Sequence, residues 1–288
     1  MRKTHEAFFE GTRPGKTVTH GQASFELPIL YYRDDLFGLY FSADEGKVRE
    51  VMPSHELRPV LLPNGRAIAA IFAFHYMETS IGPYGEVAVG IPAVYGKRIT
   101  PLTGAAPALL ESAFPGFGVL VSHLPVTTLQ ARDAGRGEWG YPKFTADMDF
   151  EIAPEFMSCD LGENGERILE LKVMKRGFHA RDSRPLTTYS VKDRNLIKTV
   201  IPQRAVKRIS LFPRGSFVRL GDHPAARSIR GLDLSEKPFM SVYYPERAGI
   251  LPPGEVIETG VRPLEGYMGG SREGGLSVSH GALFETAE

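Results

Sequence analysis

One lysine of this chain directly follows a rigid Tyr-Pro step, in the segment Glu138-Trp139-Gly140-Tyr141-Pro142-Lys143. Apolar residues flank Lys143 in the sequence, among them Trp139 and Phe144. Apolar surroundings favour the uncharged form of a lysine. Only that form attacks a carbonyl carbon, so a desolvated lysine can serve as a nucleophile toward ketones. The residues alone also allow a simpler interpretation, in which Lys143 is a surface lysine at the start of a strand.

The other residue types that often carry chemistry form no recognisable motif. Eight histidines are scattered without an HxH or HExxH pair, and Cys159 is the only cysteine, so no ligand set for a metal is evident. No phosphate loop of the GxxxxGK[ST] type and no GxSxG elbow occurs. Gly116-Phe117-Gly118 lacks the third glycine of a dinucleotide fingerprint. The sequence therefore predicts neither a metal nor a nucleotide cofactor.

The composition is that of a balanced globular protein. The chain has 288 residues, 34 Lys+Arg against 34 Asp+Glu, and 42% hydrophobic residues. This balance excludes an intrinsically disordered chain and argues against a nucleic-acid partner, which would favour a basic surplus. A single cysteine allows no intramolecular disulfide, and the longest apolar run, Ala67 to Phe74, is too short to span a bilayer. We therefore expect a soluble, cytoplasmic protein without a membrane partner.

Abundant turn residues, 31 Gly and 22 Pro, separate many short apolar runs, a pattern typical of an antiparallel barrel or sandwich. Predicted strands cover 25–32, 36–41, 57–62, 66–77, 86–95, 118–122, 145–152, 156–161, 167–175, 186–191, 196–201 and 239–244. Asn64-Gly65 and Asn164-Gly165 predict hairpins. Short helices are predicted over 44–52, 129–134 and 224–231, and a turn or loop over 135–144. The expected fold class is α+β, mainly antiparallel β, with peripheral short helices.

The sequence around Lys143 resembles the acetoacetate decarboxylase family, whose Schiff-base lysine follows a Tyr-Pro or Phe-Pro step. Other matching segments occur in the family's order along the chain, from about residue 31 to residue 257. They are Val48-Arg49-Glu50-Val51-Met52-Pro53, Tyr84-Gly85-Glu86, and Gly215-Ser216-Phe217-Val218-Arg219-Leu220 followed by Asp222-His223-Pro224. The resemblance implies a single barrel-like, cone-shaped sheet domain over residues 25–250. An N-terminal arm (1–24) and a Gly-rich C-terminal extension (251–288) would flank it.

The resemblance also implies roles for site residues. Lys143 would form the Schiff base, and Glu86 would orient the substrate carboxylate or carry a proton. Arg33 would bind the carboxylate. Tyr84, Tyr141 and Trp139 would line the pocket. Simpler interpretations also stand: an ion pair of Arg33 with Asp34 or Asp35, an outward-facing Glu86, and aromatic residues that only fill the core.

Two departures from the family leave the reaction open. The best-known decarboxylases have a second lysine where this chain has Phe144. Their second pocket glutamate corresponds to a position near Ile71, where this chain has no acidic residue. One expected function is therefore decarboxylation of a β-keto acid, such as acetoacetate to acetone and CO2, by a carbon-carbon lyase. Another is a Schiff-base aldolase-dehydratase acting on pyruvate-type 2-keto acids. A third is a barrel that binds a small ligand without turnover. Each has a small-molecule partner, and the family implies a homo-oligomer.

Overall fold

The structure is a computed structural model that describes residues 7–97, 99–103, 114–264 and 266–269. Its strands are β1 (Lys16–His20), β2 (Ala23–Leu27), β3 (Ile29–Ala43), β4 (Leu57–Pro59), β5 (Ala67–Thr79), β6 (Tyr84–Tyr95), β7 (Phe117–His123), β8 (Asp147–Ile152), β9 (Phe156–Glu163), β10 (Glu166–Met174), β11 (Phe178–Asp182), β12 (Leu186–Lys192), β13 (Asn195–Ile201), β14 (Gln203–Leu211), β15 (Phe217–Leu220), β16 (Met240–Leu251) and β17 (Glu255–Thr259). The α-helices are α1 (Glu45–Val51), α2 (Leu129–Ala134) and α3 (Pro224–Arg230). A 3₁₀ turn covers Pro101–Thr103, and a π-helix covers Gly135–Trp139.

Most strands belong to one eleven-stranded sheet, which confirms the prediction of a mainly antiparallel α+β chain. Its order is β11-β14-β16-β3-β5-β6-β7-β12-β13-β17, with β4 paired to β6. The predicted barrel-like, cone-shaped sheet does not close into a barrel among the described residues, because β11 and β17 are edge strands that do not pair with each other. The sheet is also mixed, since β12 runs parallel to β7.

A smaller antiparallel sheet, β15-β10-β9-β8, confirms the predicted meander. Asn164 and Gly165 connect β9 to β10 with φ angles of 54° and 79°, which suit a tight hairpin turn. The other predicted hairpin is only partly formed. Asn64-Gly65 makes a turn, with a single bridge between Leu61 and Ala67, but β4 pairs with β6 instead of β5.

Side chains cap the starts of all three α-helices, and Thr128 caps α2. The Asp44 side chain accepts a hydrogen bond from the Lys47 backbone N–H at the start of α1. His223 caps α3, and Pro224 occupies its first turn, where its missing N–H costs nothing. No helix within the described ranges is long and apolar enough to cross a membrane.

The large sheet separates two hydrophobic cores. The first core contains Phe37, Ile71 and Phe144, and the second contains Phe74, Tyr76, Tyr84, Trp139 and Tyr141. Because side chains alternate across a strand, Ile71 and Phe74 of β5 point to opposite faces. Ladder pairing aligns Phe74 with Glu86 and Tyr76 with Tyr84. The candidate site residue Glu86 therefore lies on the face of the sheet that packs against the second core.

The chain beyond residue 250 packs onto the domain as far as it is described. Strand β16 continues to Leu251, and β17 pairs with β13. The Tyr267 hydroxyl donates a hydrogen bond of 2.6 Å to Glu163 Oε2, and the Tyr267 ring meets Phe144 edge-on at 5.0 Å. The first part of the predicted extension is thus built against the residue that follows Lys143. The remainder of the Gly-rich segment lies outside the described residues.

Candidate active site

A π-helix precedes Lys143 in the chain. It continues α2 from Gly135 to Trp139 and ends at Gly140, whose φ of 66° is left-handed. The prediction of a turn or loop is wrong for this part. Gly135 takes ordinary helical angles, and the backbone N–H of Gly140 donates hydrogen bonds to the carbonyls of Gly135 and Arg136. The Gly135–Gly140 spacing matches GxGxxG, but it follows a helix rather than a strand, so it lacks the context of a dinucleotide site. π-Helical turns occur often at functional sites.

Backbone hydrogen bonds fix the segment that carries Lys143. The Lys143 N–H donates to the Tyr141 carbonyl at 2.7 Å. The Pro142 carbonyl accepts from the Leu124 N–H at 3.2 Å, and the Phe144 carbonyl accepts from the Val126 N–H at 2.8 Å. The Arg136 guanidinium donates to the Lys143 carbonyl and also to the Met268 carbonyl. The lysine backbone is therefore held from both sides.

Gly135 leaves the space through which the Lys143 side chain passes. A Cβ atom at Gly135 would lie 2.5 Å from both Cδ and Cε of Lys143. At that separation the lysine side chain would have to shift, so the small size of Gly135, and not its backbone angles, permits the observed path of the lysine. The π-helix and the lysine thus form one packed unit.

The Lys143 amine meets a carboxylate inside the protein. Its Nζ donates a hydrogen bond of 2.8 Å to Glu86 Oε2. Lys143 is 5% exposed and Glu86 is 7% exposed. The Tyr76 hydroxyl donates to the other carboxylate oxygen, Oε1, at 3.3 Å. A buried lysine is uncommon unless it is paired, so the surface-lysine and outward-glutamate interpretations do not describe this site.

Tyrosine side chains line the site beside the amine. The Tyr84 ring centre is 5.5 Å from Lys143 Nζ, and the Tyr84 and Tyr31 hydroxyls are 3.0 Å apart. Burial, reinforced by the Glu86 charge, raises the pKa of Tyr31, Tyr76 and Tyr84 well above the ordinary range. The phenols therefore stay protonated at neutral pH and can donate hydrogen bonds.

The structure brings some of the predicted site residues together and separates others. Lys143, Glu86 and Tyr84 are neighbours. Trp139 and Tyr141 stack nearby with ring centres 6.1 Å apart, but their polar atoms bond elsewhere, to the Pro252 carbonyl at 2.8 Å and to Thr188 Oγ1 at 2.7 Å. Arg33 is not brought to this group, because its side chain is exposed on a bulge of β3.

Sequence reasoning missed a second buried ion pair on the same sheet face. Arg247 Nη1 donates to Asp34 Oδ2 at 2.6 Å, and the two side chains are 4% and 0% exposed. The signal in the sequence was a charged residue, Arg247, in the run from Tyr243 to Leu251. The predicted strand ended at residue 244, so it did not include Arg247. Tyr31, Tyr76 and Gly135 were also missed, since each depends on a partner distant in sequence.

A separate surface cavity lies away from these buried groups. A surface cavity of about 540 Å³ is lined by Glu45, Arg49, Arg58, Leu61, Gly65, Ile99, Thr100 and Pro101. None of these residues contacts Lys143 or Glu86. Within the described part of the chain, no group of three or more His, Cys, Asp or Glu residues could hold a metal ion.

Known proteins with this architecture include acetoacetate decarboxylases. One acetoacetate decarboxylase structure matches with a TM-score of 0.60 and 16% identity, over 81% of this chain and 90% of that one. The enzyme from Legionella pneumophila matches with a TM-score of 0.59 and 14% identity, over 90% and 97%. The enduracididine biosynthesis enzyme MppR, complexed with pyruvate, gives a TM-score of 0.57 and 11% identity, over 84% and 92%.

At these identities the structural matches establish the fold alone. No curated protein sequence matches the chain. The family model for acetoacetate decarboxylase, however, matches residues 16–212, a range that includes both Lys143 and Glu86. That match covers more than half of the sequence, and the chain therefore belongs to the acetoacetate decarboxylase family.

Proposed function

We propose that this protein is a Schiff-base lyase that decarboxylates a β-keto acid through Lys143. The observation that carries the proposal is the buried contact of 2.8 Å between Lys143 Nζ and Glu86 Oε2. In such a pair the amine can act as a nucleophile and the carboxylate can accept a proton. Tyr84 and Tyr76 surround the pair and limit access of water. Trp139 and Tyr141 contribute apolar surface to the same wall.

The proposed reaction balances with the groups of this site. Glu86 takes a proton from the Lys143 ammonium, and the free amine attacks the ketone carbon. Loss of water gives an iminium ion. The C–C bond to the carboxylate then breaks, CO2 leaves, and the bonding electrons neutralise the iminium to an enamine. Protonation of the enamine carbon, followed by hydrolysis, releases the ketone and restores Lys143.

Glu86 is the residue best suited to return the proton. We expect Glu86→Gln to lower turnover by about 10²–10⁴-fold, the range for loss of general acid-base catalysis. Borohydride trapping of a keto acid on Lys143 should persist, because glutamine keeps the shape of the side chain and leaves the amine without a carboxylate that holds its proton. Turnover and intact-mass measurements check both expectations. Glu258→Gln, a change at a glutamate that bonds Ser54, is the control. Unchanged turnover in Glu86→Gln contradicts the proposed role.

A second candidate function is an aldolase-dehydratase acting on pyruvate-type 2-keto acids. It uses the same iminium, but the enamine attacks an aldehyde and the product loses water. One structural observation favours it: strand β5 contains no carboxylate between Ala67 and Met77, so the position of the family's second pocket glutamate is apolar. Phe144, fully buried in the first core, likewise offers no second amine. The likeness to MppR with pyruvate agrees with this alternative.

One experiment separates these functions. The protein is incubated with acetoacetate, pyruvate and longer keto acids, reduced with borohydride, and examined by mass spectrometry for an adduct on Lys143. Evolution of CO2 supports the decarboxylase, and condensation with an added aldehyde supports the aldolase-dehydratase. Absence of any adduct contradicts both and favours the third possibility, a binding protein without turnover.

We also propose that the protein is a cytoplasmic homo-oligomer. Large apolar side chains are exposed at the β11 edge of the main sheet, where Phe178, Leu211 and Phe212 are 58%, 60% and 75% exposed. Such patches commonly mark association surfaces. Light scattering should give a multiple of the chain mass of 31.7 kDa. A monomer across a wide concentration range contradicts this expectation.

A further inference from the structure

The buried ion pair of Arg247 and Asp34 lies on the same sheet face as Lys143 and Glu86. Strand pairing sets Asp34 beside Tyr76, and Tyr76 beside Tyr84. The Arg247 guanidinium is 5.7 Å from the Phe74 ring centre, and Phe74 stacks on Tyr76 at 5.5 Å. Tyr76 in turn bonds Glu86. A short aromatic row therefore connects the guanidinium to the amine.

Electrostatics also links the two ion pairs. Burial raises the pKa of Tyr76 most strongly, the Glu86 charge raises it further, and the Arg247 charge opposes the shift. Both charges therefore act on a single phenol between them. The amine–carboxylate pair and the guanidinium–carboxylate pair thus flank the same phenol, Tyr76.

The hydrogen bonding of the Arg247 pair is incomplete. The guanidinium donates from Nη1 to Asp34 and from Nε to Gln203 Oε1 at 3.2 Å. Among the described residues, its Nη2 donates to none. Asp34 Oδ1 is buried and also has no partner. The Nη2 donor can therefore serve a ligand or bound solvent, whereas Asp34 Oδ1 only accepts hydrogen bonds and calls for a donor such as water.

Arg247 is better suited than Arg33 to bind an anion in the site. Arg33 is exposed, and water and salt weaken the attraction of an exposed cation. Arg247 is held rigidly by Asp34 and Gln203 in apolar surroundings, where a charge-assisted hydrogen bond to a carboxylate is strong. The planar guanidinium also fixes the direction from which a carboxylate can approach.

We propose that Arg247, oriented by Asp34 and Gln203, binds the carboxylate of the keto acid whose ketone reacts with Lys143. This inference rests on the proposed Schiff-base function. It assigns the carboxylate-binding role to a residue of β16 rather than to the early arginine, Arg33.

The test compares each keto acid with its own methyl ester, which has the same ketone but no anionic charge. Acetoacetate, pyruvate and their methyl esters are trapped on the protein with borohydride, and initial trapping rates are read by mass spectrometry. In the double variant D34N/R247Q, which leaves no unpaired buried charge, trapping of the acids should fall by about 10- to 100-fold, as for loss of a hydrogen bond to a charged group. Trapping of the esters should stay within about twofold.

A second variant, Arg247→Lys, tests the same role if the double variant does not fold. Arg247→Lys keeps the cation beside Asp34 but removes the planar fork, so acids should again lose trapping selectively. Arg219→Gln, a change at an exposed arginine paired with Glu170, is the matched control. The same assay on Arg33→Gln decides between the two arginines.

The outcomes distinguish failure of this inference from failure of the proposed function. Equal losses for acids and esters, no loss for either, or a selective loss in Arg33→Gln alone overturns the role of Arg247. Trapping of esters but not of acids by the unmodified protein overturns it as well. If the unmodified protein traps none of the four compounds on Lys143, the Schiff-base function fails and the inference fails with it.

Discussion

Lys143→Met is expected to abolish both borohydride trapping and turnover. Methionine has a similar length and is apolar, so it can occupy the same space beside Gly135 without an amine. Without the amine no iminium forms, and the electrons of the breaking bond have no acceptor. Loss of a covalent nucleophile reduces turnover by many orders of magnitude in well-studied enzymes, and we expect a loss on the order of 10⁴-fold or more.

The control for this change is Lys47→Met, at an exposed lysine of α1. It removes one amine of the same kind but should leave the adduct and the rate unchanged. Thermal unfolding of both variants checks that the fold survives, since Lys143→Met leaves Glu86 buried without its cation, a change that destabilises the folded state. An adduct that persists on another lysine in Lys143→Met would disprove the assignment of the nucleophile.

Gly135→Ala is expected to lower turnover sharply by displacing the Lys143 amine. Gly135 has φ −68° and ψ −42°, which alanine adopts readily, and alanine favours helical backbone over glycine by about 1 kcal/mol. The added methyl group would lie 2.5 Å from Lys143 Cδ and Cε. The flexible lysine must move, and its amine must leave Glu86. Displacement of a reacting group by about 1 Å can cost about 10²-fold in rate, so we expect at least that loss in turnover.

The unfolding temperature of Gly135→Ala should also fall, because overpacking costs about 1–3 kcal/mol and the buried pair with Glu86 is broken, whereas the helical preference of alanine returns only about 1 kcal/mol. Gly15→Ala, at a glycine whose added Cβ would approach only the Arg13 carbonyl, at 4.0 Å, is the matched substitution. It should change neither the unfolding temperature nor the turnover. Retention of full turnover in Gly135→Ala would mean that the amine reaches the substrate along another path, and it would contradict the arrangement described for Lys143 and Glu86.

The sequence by itself determined those features that depend on neighbouring residues. Asp44 predicts the start of α1, and Pro224 predicts the first turn of α3. Asn164-Gly165 predicts the hairpin between β9 and β10, because only certain residues accept its positive φ angles. The Tyr-Pro step before Lys143 and the Tyr84-Gly85-Glu86 segment identified the family and predicted the two residues that form the buried pair. Each of these signals lies within a few consecutive residues.

The tertiary structure decided everything that depends on pairing between distant segments. Asn64-Gly65 forms a turn, but β4 pairs with β6 because strand partners are selected by the whole sheet and not by the turn alone. Gly135 packs against the Lys143 side chain, and the presence of a glycine at position 135 does not by itself predict that contact. Arg247 reaches Asp34 across 213 positions of the sequence, whereas the bulge in β3 turns Arg33 outward. A one-residue change of register reverses the face on which a side chain lies, so local sequence could not tell which arginine is buried.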